Sequence, residues 1–468
     1  MGPVLFATAL LVAPSATLAA QARPGTAPAA PAADLVMPPA LDPRVYDIAE
    51  APDPERIAAD VRTLAGFGTR NTFSDTLSQT RGIGAARRWI KAEFDRISAE
   101  CGGCLEVSYV AGIDTVRGGS VVNVVNVVAI QRGDRHPDRY VIMTGDIDSR
   151  ASDTNDGTTD APGANDNASG MAGVLEAARV LTKYKFPSTV VYAGLSGEEQ
   201  GLFGGQQLAR KARAEGWDVV AAFNNDMIGN FEGINGVVDN TTFRVFSEPV
   251  PATATQADWQ RYRIYGGEVD GPSRQIARYV AKTVDSYFRN LDAMMVYRLD
   301  RFGRGGHHRP WNDEGFPAVR IMEAWENYTR QHQNVRNENG IAYGDVVSGV
   351  NFDYAARLTA VNATVMASMA WAPPTPVNVG IAGGVSASTT LAWEAGKGAD
   401  TDPNLAGYKV YWRDTTEPQW THSRFVGNVT SFTLENLIVD NSLFGVAAVG
   451  KNGTESPVAF AGTPIRRR

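Results

Sequence analysis

Residues 189–201 have the sequence Thr-Val-Val-Tyr-Ala-Gly-Leu-Ser-Gly-Glu-Glu-Gln-Gly. The first seven are mostly apolar or β-branched, a pattern typical of a buried strand. A turn with two adjacent glutamates, Glu198 and Glu199, follows directly. In open sheets of parallel strands, functional side chains lie beyond the carboxyl ends of the strands. The stretch therefore predicts a buried strand that delivers acidic residues to a functional edge.

Other short apolar runs have the same character, and helical patterns separate some of them. The predicted strands are Val121–Ile130, Tyr140–Thr144, Thr189–Leu195, Val219–Phe223 and Pro317–Met322. The clearest helical pattern is Asn167–Tyr184, which places Met171, Val174 and Leu181 on one face. Strands that alternate with helices predict an α/β fold with a mostly parallel sheet covered by helices on both faces.

The pattern changes at Pro373-Pro374-Thr375-Pro376, which predicts a Pro-rich linker over 373–376. Beyond it, residues 377–468 hold short strands separated by turns, which predict a small all-β sandwich. The segment resembles a fibronectin type III domain through Trp393, Leu437 and Val446, although Ser442 stands where that family has a tyrosine. We expect an accessory module, and contact with a surface or polymer is an analogy with that family.

The N-terminal residues predict export. An apolar run, Val4–Ala13, and a candidate cleavage site at Ala20-Gln21-Ala22 indicate a signal peptide over residues 1–22, although no Lys or Arg precedes the run. Residues 23–45 are an Ala- and Pro-rich leader. The run is shorter than the roughly 20 residues that a membrane span needs, so an N-terminal anchor is the less favoured alternative. We expect a periplasmic or secreted protein with no stable membrane span.

Charge and cysteine content restrict the function further. The formal net charge is −7, from 44 basic and 51 acidic residues, which does not favour a nucleic-acid partner. Cys101 and Cys104 are the two cysteines. In an exported protein this pair predicts a local disulfide, and a redox or metal-binding pair is the alternative.

Five clusters of acidic or imidazole side chains lie near the ends of predicted elements. They are Gly145–Arg150, Ala161–Asn167, Ser196–Gly201, Asn224–Met227 and Gly305–His308. Each has an ordinary explanation when taken alone; Asp166, for example, could cap a helix. If they converge on one crevice, their negative charge needs cations. Carboxylates with one or two imidazoles suit Zn²⁺ or a similar divalent ion.

The order and spacing of these clusters resemble the M28 metallopeptidases over roughly residues 50–370. Two strings carry the resemblance: Ala161-Pro-Gly-Ala-Asn-Asp-Asn-Ala-Ser-Gly170 and Gly197-Glu-Glu-Gln-Gly-Leu-Phe-Gly204. The family implies a mixed, mostly parallel sheet of the zinc exopeptidase type, which would span residues 46–372 of this chain. It also implies hydrolysis of peptide bonds at a co-catalytic zinc site.

The resemblance implies a role for each site residue. Asp166 would bridge two metal ions, Glu199 and His308 would ligate one of them, and Asp226 would ligate the other. Glu198 would be the general base that takes a proton from water and passes it to the leaving amine. Asp148 would orient the ligand at position 146.

Two positions depart from the family pattern. Asp146 stands where the family has its first histidine ligand, and His307 precedes His308 where the family has an aspartate. Either Asp146 or His307 completes the first site, and we favour Asp146. A site made of oxygen ligands is less selective for zinc and accepts Mn²⁺ or Mg²⁺. We therefore expect one tight zinc site and one weaker site.

We interpret the chain as an exported zinc aminopeptidase that acts on peptides. A non-catalytic receptor on the same fold, a glutaminyl cyclase and a carboxypeptidase are the alternatives, because the loops that recognise a terminal group are variable. The acidic loop Asp153–Asp160 does not have EF-hand spacing, which favours a solvated turn over a Ca²⁺ site.

Overall fold

A computed structural model of the chain describes residue 2, residues 36–116 and residues 118–465. Apart from residue 2, the predicted signal peptide, its cleavage site and most of the predicted leader lie outside these residues. The residues from Pro38 onward form one compact unit. Within the described residues, no helix is both long enough and apolar enough to cross a bilayer.

Helices and strands alternate along most of this unit, and strands dominate its last part. The helices are α1 (Pro43–Ala49), α2 (Pro54–Gly66), α3 (Gly82–Glu100), α4 (Gly170–Leu181), α5 (Glu198–Gly201), α6 (Phe203–Ala214), α7 (Gln256–Tyr265), α8 (Pro272–Tyr287), α9 (His308–Asp313) and α10 (Phe352–Trp371). The strands up to residue 350 are β1 (Glu106–Thr115), β2 (Val121–Gln131), β3 (His136–Asp146), β4 (Ser188–Leu195), β5 (Asp218–Asn225), β6 (Thr242–Ser247), β7 (Asp292–Val296), β8 (Ala318–Glu323), β9 (Arg336–Glu338) and β10 (Ile341–Tyr343). The remaining strands are β11 (Val377–Ala382), β12 (Thr389–Glu394), β13 (Leu405–Asp414), β14 (His422–Gly427), β15 (Ser431–Leu434), β16 (Ser442–Gly450), β17 (Ala459–Phe460) and β18 (Thr463–Pro464).

The main sheet has eight strands in the order β1-β2-β4-β3-β5-β8-β6-β7. Its centre, β4-β3-β5-β8, is parallel, whereas β1, β2 and β4 pair antiparallel and β6 runs antiparallel to β8. The sheet is mixed, as the sequence predicts. Because the four central strands run in the same direction, their carboxyl ends open on one edge.

Alternation along β3 shows how the sheet is covered on both faces. Val141 and Met143 pack in the core beneath α4 and α10, whereas Tyr140 and Ile142 pack in a second core with residues of α6 and α9. Successive side chains of a strand point to opposite faces, so a strand buried on both sides is apolar throughout. This burial explains why the central strands are continuous apolar runs in the sequence.

The predicted helix Asn167–Tyr184 begins later in the structure, at Gly170. Residues Ala164–Ser169 form an irregular turn in which Asp166 and Asn167 have non-helical dihedral angles. Residues 167–169 continue the helical pattern of the sequence, but their backbone belongs to the irregular turn before α4. At the N-terminal end, α1 begins at Pro43 and buries Val45, so the last residues of the predicted leader belong to the folded unit.

Residues 377–465 form two four-stranded sheets, β15-β12-β11-β18 and β14-β13-β16-β17. They share a core that contains Trp393, Tyr408 and Val446. Residues 373–376, predicted as a linker, are largely buried.

Buried ion pairs join these C-terminal sheets to the loop and helix at 270–287. Asp270 is paired with Arg413 of β13 at 2.9 Å and with Arg278 of α8 at 2.8 Å, and all three side chains are at most 1% exposed. Lys282 of α8 also lies 2.7 Å from Glu455. The C-terminal sheets are therefore docked on the main sheet's helical layer through charged contacts.

Candidate metal centre

The carboxyl ends of β3, β4 and β5 bring three of the predicted clusters together. Asp146 is the last residue of β3 and is in register with Leu195, the last residue of β4. Gly145 is in register with Asn225, the last residue of β5. The residues that follow them along the chain, Asp146 and Asp226, therefore lie side by side. Parallel pairing therefore places the predicted acidic residues at one edge of the sheet.

Asp166, Glu199 and His332 form a compact group at this edge. His332 Nε2 lies 2.9 Å from Asp166 Oδ2 and 3.1 Å from Glu199 Oε1. One ligand atom from each residue lies within 4.8 Å of the others. Asp166 comes from the irregular turn before α4, Glu199 from α5 after β4, and His332 from the loop after β8.

Charge in this group shifts the titration of its members. Burial opposes protonation of His332, but the charges of Glu199 and Asp166 and their hydrogen bonds raise its pKa to about 10. Burial would raise the pKa of Asp166, but the His332 hydrogen bond and charge hold it well below its usual range. The imidazolium thus occupies the place of a cation between two carboxylates.

Asp148 accepts hydrogen bonds from the backbone of both adjacent glutamates, Glu198 and Glu199. Its Oδ1 accepts the backbone N–H of Glu198 at 3.2 Å, and its Oδ2 accepts that of Glu199 at 3.1 Å. Because the first N–H groups of a helix have no partner within the helix, a carboxylate at this position fixes the start of α5. The role predicted for Asp148 is orientation of residue 146, and its hydrogen bonds in the structure orient the Glu198–Glu199 pair.

Glu198 lies next to this group and has no ion pair in the described residues. Burial raises the pKa of its carboxyl well above the usual value, and the charges of Glu199 and Asp226 add to the effect. A carboxylate with a raised pKa accepts a proton readily, which is the property required of a general base near neutral pH.

Asp345 positions Asp166 through hydrogen bonds to its backbone. The sequence did not indicate this residue. Its carboxylate accepts the backbone N–H groups of Asn165, at 2.8 Å, and of Asp166, at 2.6 Å. Burial raises the pKa of Asp345 to about 7, although these two hydrogen bonds lower it. Asp345 belongs to a loop without periodicity, so no local signal identifies it.

Asp146 does not face the group of Asp166, Glu199 and His332 as a free ligand. Its Oδ1 contacts His307 Nδ1, and its Oδ2 accepts the Asn167 Nδ2–H at 2.7 Å. Burial raises the pKa of Asp146 to about 7, and burial lowers that of His307 to about 4. The two residues that the sequence analysis offered as alternatives therefore contact each other.

Asp226 is paired with a cation that the sequence analysis did not consider. Arg320 Nη2 lies 2.8 Å from Asp226 Oδ2, and its Nη1 lies 3.1 Å from Asp300 Oδ2. Burial raises the pKa of Asp226 to about 8, although the charge of Arg320 opposes that rise. Arg320 lies in the apolar strand β8, where its charge gave no indication of a site.

The structure places the predicted ligand His308 away from the group of Asp166, Glu199 and His332. Its Nε2 bonds the Leu299 carbonyl oxygen at 2.8 Å and lies 3.5 Å from Asp300. His308 is fully buried and is the first residue of α9, which follows the glycine pair Gly305-Gly306. His332 takes the place that the sequence analysis assigned to His308.

His332 could have been found by the same rule that located the other residues. It follows β8, the fourth of the parallel strands whose carboxyl ends meet at this edge. The adjacent pair His307-His308 lies at the start of α9 and before β8, so it does not directly follow a strand in the sequence. Position relative to a strand end is thus a better signal in this chain than two neighbouring histidines.

Cys101 and Cys104 are joined in a disulfide in the turn between α3 and β1. This turn lies outside the group of Asp166, Glu199 and His332. The pair is therefore a local covalent link and not a pair of ligands to that group.

The donor set of Asp166, Glu199 and His332 fits zinc. One imidazole and two carboxylates are typical ligands of catalytic zinc sites, which keep a further position open for water or substrate. A glutamate held beside such a set defines the active site of a metal-dependent hydrolase.

Comparison with known proteins identifies the class. Residues 126–346 match the model of peptidase family M28. A probable zinc metalloprotease of Pyrenophora tritici-repentis is 38% identical over 426 residues, which are 90% of this chain and 97% of that protein. One of Pyricularia oryzae is 42% identical over 417 residues, 87% of this chain and 82% of that protein. The chain belongs to peptidase family M28 and is a zinc metallopeptidase.

A solved structure shares the fold. The LapA aminopeptidase of Legionella pneumophila aligns with a TM-score of 0.50 and 20% sequence identity, over 70% of this chain and 75% of that chain. At this identity the likeness concerns the α/β fold with its large mixed sheet.

Proposed function

We propose that the chain is an exported zinc exopeptidase that removes N-terminal residues from peptides. The position of Glu198 is the observation that supports peptidase chemistry. Glu198 is adjacent in sequence to Glu199, a member of the group of Asp166, Glu199 and His332. It has no ion pair in the described residues. In this proposal Asp166, Glu199 and His332 hold the zinc ion.

Zinc bound by these three side chains would activate water and polarise the scissile carbonyl group. Glu198 accepts a proton from the attacking water and passes it to the leaving amine. The raised pKa of its carboxyl allows it to hold that proton between the two steps. Asp148 keeps Glu198 and Glu199 in their relative orientation through their backbone N–H groups.

Two features support action at a free N terminus. Glu198 and Asp226 bring further carboxyl oxygens to this edge of the sheet, and such oxygens accept hydrogen bonds from an α-ammonium group. In addition, LapA, which shares the fold, is named an aminopeptidase.

A carboxypeptidase is the second candidate, because two arginines lie near Asp166. The charges of Arg301 and Arg304 lower the pKa of Asp166, and Arg304 is partly exposed. A guanidinium is well suited to bind a terminal carboxylate. Both arginines are paired with Glu326, however, which reduces their charge toward a substrate.

The proposed export is supported by two observations. The apolar run Val4–Ala13 is typical of a signal peptide. The Cys101–Cys104 disulfide fits an oxidising compartment, where such bonds persist.

We further infer that the C-terminal sheets are a fibronectin type III-like sandwich. The two four-stranded sheets and the buried Trp393 between them support this assignment.

The activity is tested with a panel of short peptides that are free or blocked at each end, with product identification. We expect cleavage only of peptides with a free N terminus, and loss of activity with a chelator. Cleavage that instead requires a free C terminus would establish the second candidate. Glu198→Gln should lower kcat by about 10²- to 10⁴-fold with zinc retained. The exposed Glu338 provides the matched control, Glu338→Gln, which should leave kcat unchanged.

A further inference from the structure

Arg320 contacts Asp226, a carboxylate that a second metal ion would need as a ligand. Arg320 lies on β8 and is in register with Asn224 of the neighbouring strand β5, two residues before Asp226. Its side chain is fully buried, and Nη2 lies 2.8 Å from Asp226 Oδ2. A guanidinium is charged at every working pH, so Asp226 faces a permanent positive charge.

The guanidinium is held from its far side as well. Nη1 donates to the Gly305 carbonyl oxygen at 2.7 Å and contacts Asp300 Oδ2 at 3.1 Å. Asp226 is buried as well, so moving Arg320 away would leave that carboxyl group without its cation. The Arg320 side chain is therefore held in place and does not readily move aside for a metal ion.

The other carboxylate required for a second ion is also engaged. Asp146 contacts His307 through Oδ1 and Asn167 through Oδ2. Neither Asp146 nor Asp226 joins the group of ligand atoms that Asp166, Glu199 and His332 form within the described residues. These residues thus fit one zinc ion and do not fit a second.

We propose that this metallopeptidase binds a single zinc ion, at Asp166, Glu199 and His332, and that the Arg320 guanidinium replaces the second metal ion at Asp226. This inference rests on the proposed zinc site. Arg320 acts as a positioning residue, because it holds Asp226 in place and supplies positive charge next to that carboxyl group. A dication at the same carboxylate would have to lie next to the guanidinium, and the two cations would repel each other.

The test is the zinc stoichiometry of the full chain. Metal-free protein is mixed with excess ZnCl₂, passed through a desalting column and analysed for zinc by mass spectrometry. We expect one zinc ion per chain. Two tightly held ions would overturn the inference and leave the proposed function intact. No bound zinc would overturn both the inference and the proposed zinc site.

A spectroscopic measurement separates one ion from a pair. The metal-free protein is loaded with Mn²⁺ and examined by electron paramagnetic resonance. We expect the spectrum of isolated Mn²⁺, because a second ion has no place to bind. Spin coupling between two Mn²⁺ ions would contradict the inference.

Three variants assign the effect to Arg320. Asp226→Asn should retain one zinc ion, whereas it would lose one of two if Asp226 were a ligand. Arg320→Met should raise the capacity from one ion to two, and Arg320→Lys, which keeps the charge, should hold it at one. A single ion in Arg320→Met, measured on folded protein, would overturn the role of Arg320. If Arg320→Met does not fold, the result with Asp226→Asn decides.

Discussion

Asp148 Oδ2 lies 3.1 Å from the backbone nitrogen of Glu199 and accepts its hydrogen bond. The other oxygen of the same carboxylate accepts the N–H of Glu198. One side chain at the end of β3 therefore sets the position of both glutamates after β4.

The variant Asp148→Ala should lower kcat/KM by about 10- to 100-fold, the usual effect of removing a residue that orients a metal ligand. Asp156→Ala is the control, because Asp156 accepts backbone N–H groups of Thr158 and Thr159 in an exposed turn. Peptide hydrolysis and bound zinc are measured on both proteins. Wild-type activity in Asp148→Ala would contradict the orienting role.

His332 and His308 make a matched pair of variants. His332→Asn should lose the zinc ion, because the imidazole contacts both carboxylates of the group. His308→Asn should retain zinc, because its ring bonds the Leu299 carbonyl oxygen. Bound zinc is measured after desalting, on protein shown to be folded by circular dichroism. Loss of zinc only in His308→Asn would favour the assignment made from sequence.

Zinc affinity should rise with pH. The pKa of His332 is about 10 in the absence of metal, so its imidazole is protonated throughout the neutral range. Zinc requires the neutral ring, and each bound ion therefore releases this proton. The apparent Kd should fall by about tenfold per pH unit between pH 6.5 and 9, measured by competition with a chromophoric chelator. A Kd independent of pH in that range would refute this linkage.

The same group makes the stability of the zinc-free protein depend on pH. A folded-state pKa above the ordinary value of 6.5 means that protonated His332 stabilises the fold fully below pH 6.5. This contribution is lost as the pH rises through about 10. Urea unfolding of the zinc-free chain at several pH values should show it, and His332→Asn should show a smaller loss over that range.

The docking of the C-terminal sheets should be measurable as stability. Arg413→Met removes one of the two buried cations paired with Asp270, so the cost should approach but not exceed the roughly 3–5 kcal/mol of an uncompensated buried charge. Lys397→Ala is the control, because Lys397 is 81% exposed and its pair with Asp138 is worth at most about 1 kcal/mol. Both are compared by urea unfolding. Equal stability of the two variants would show that the docking contact contributes little.

The central strands could be predicted because burial on both faces leaves a continuous apolar run, as in Thr189–Leu195. The acidic residues after those runs could be placed at one edge by the rule for parallel strands. His332, which follows β8, could have been found by the same rule, whereas Asp345 and Arg320 could not. Asp345 lies in a loop without periodicity, and Arg320 is one charge within an apolar strand whose partner, Asp226, is distant in sequence.

The prediction of His308 illustrates what local sequence lacks. Two adjacent histidines after a glycine pair suggest a ligand, but the direction of the chain at that point depends on how α9 packs. The boundary at 373–376 shows the same limitation. Proline content predicts a linker, whereas the buried contacts of Asp270 with Arg413 depend on residues more than a hundred positions apart.

The Asp270–Arg413 pair also constrains how this chain can change during evolution. A relative that has lost the C-terminal sheets would expose Asp270 and Arg278 to solvent and leave Arg278 as the cation paired with Asp270. Substitutions at positions 270 and 413 should therefore occur together across relatives, and a recombinant that receives foreign C-terminal sheets should dock them most stably when those sheets supply a cation at the position of Arg413.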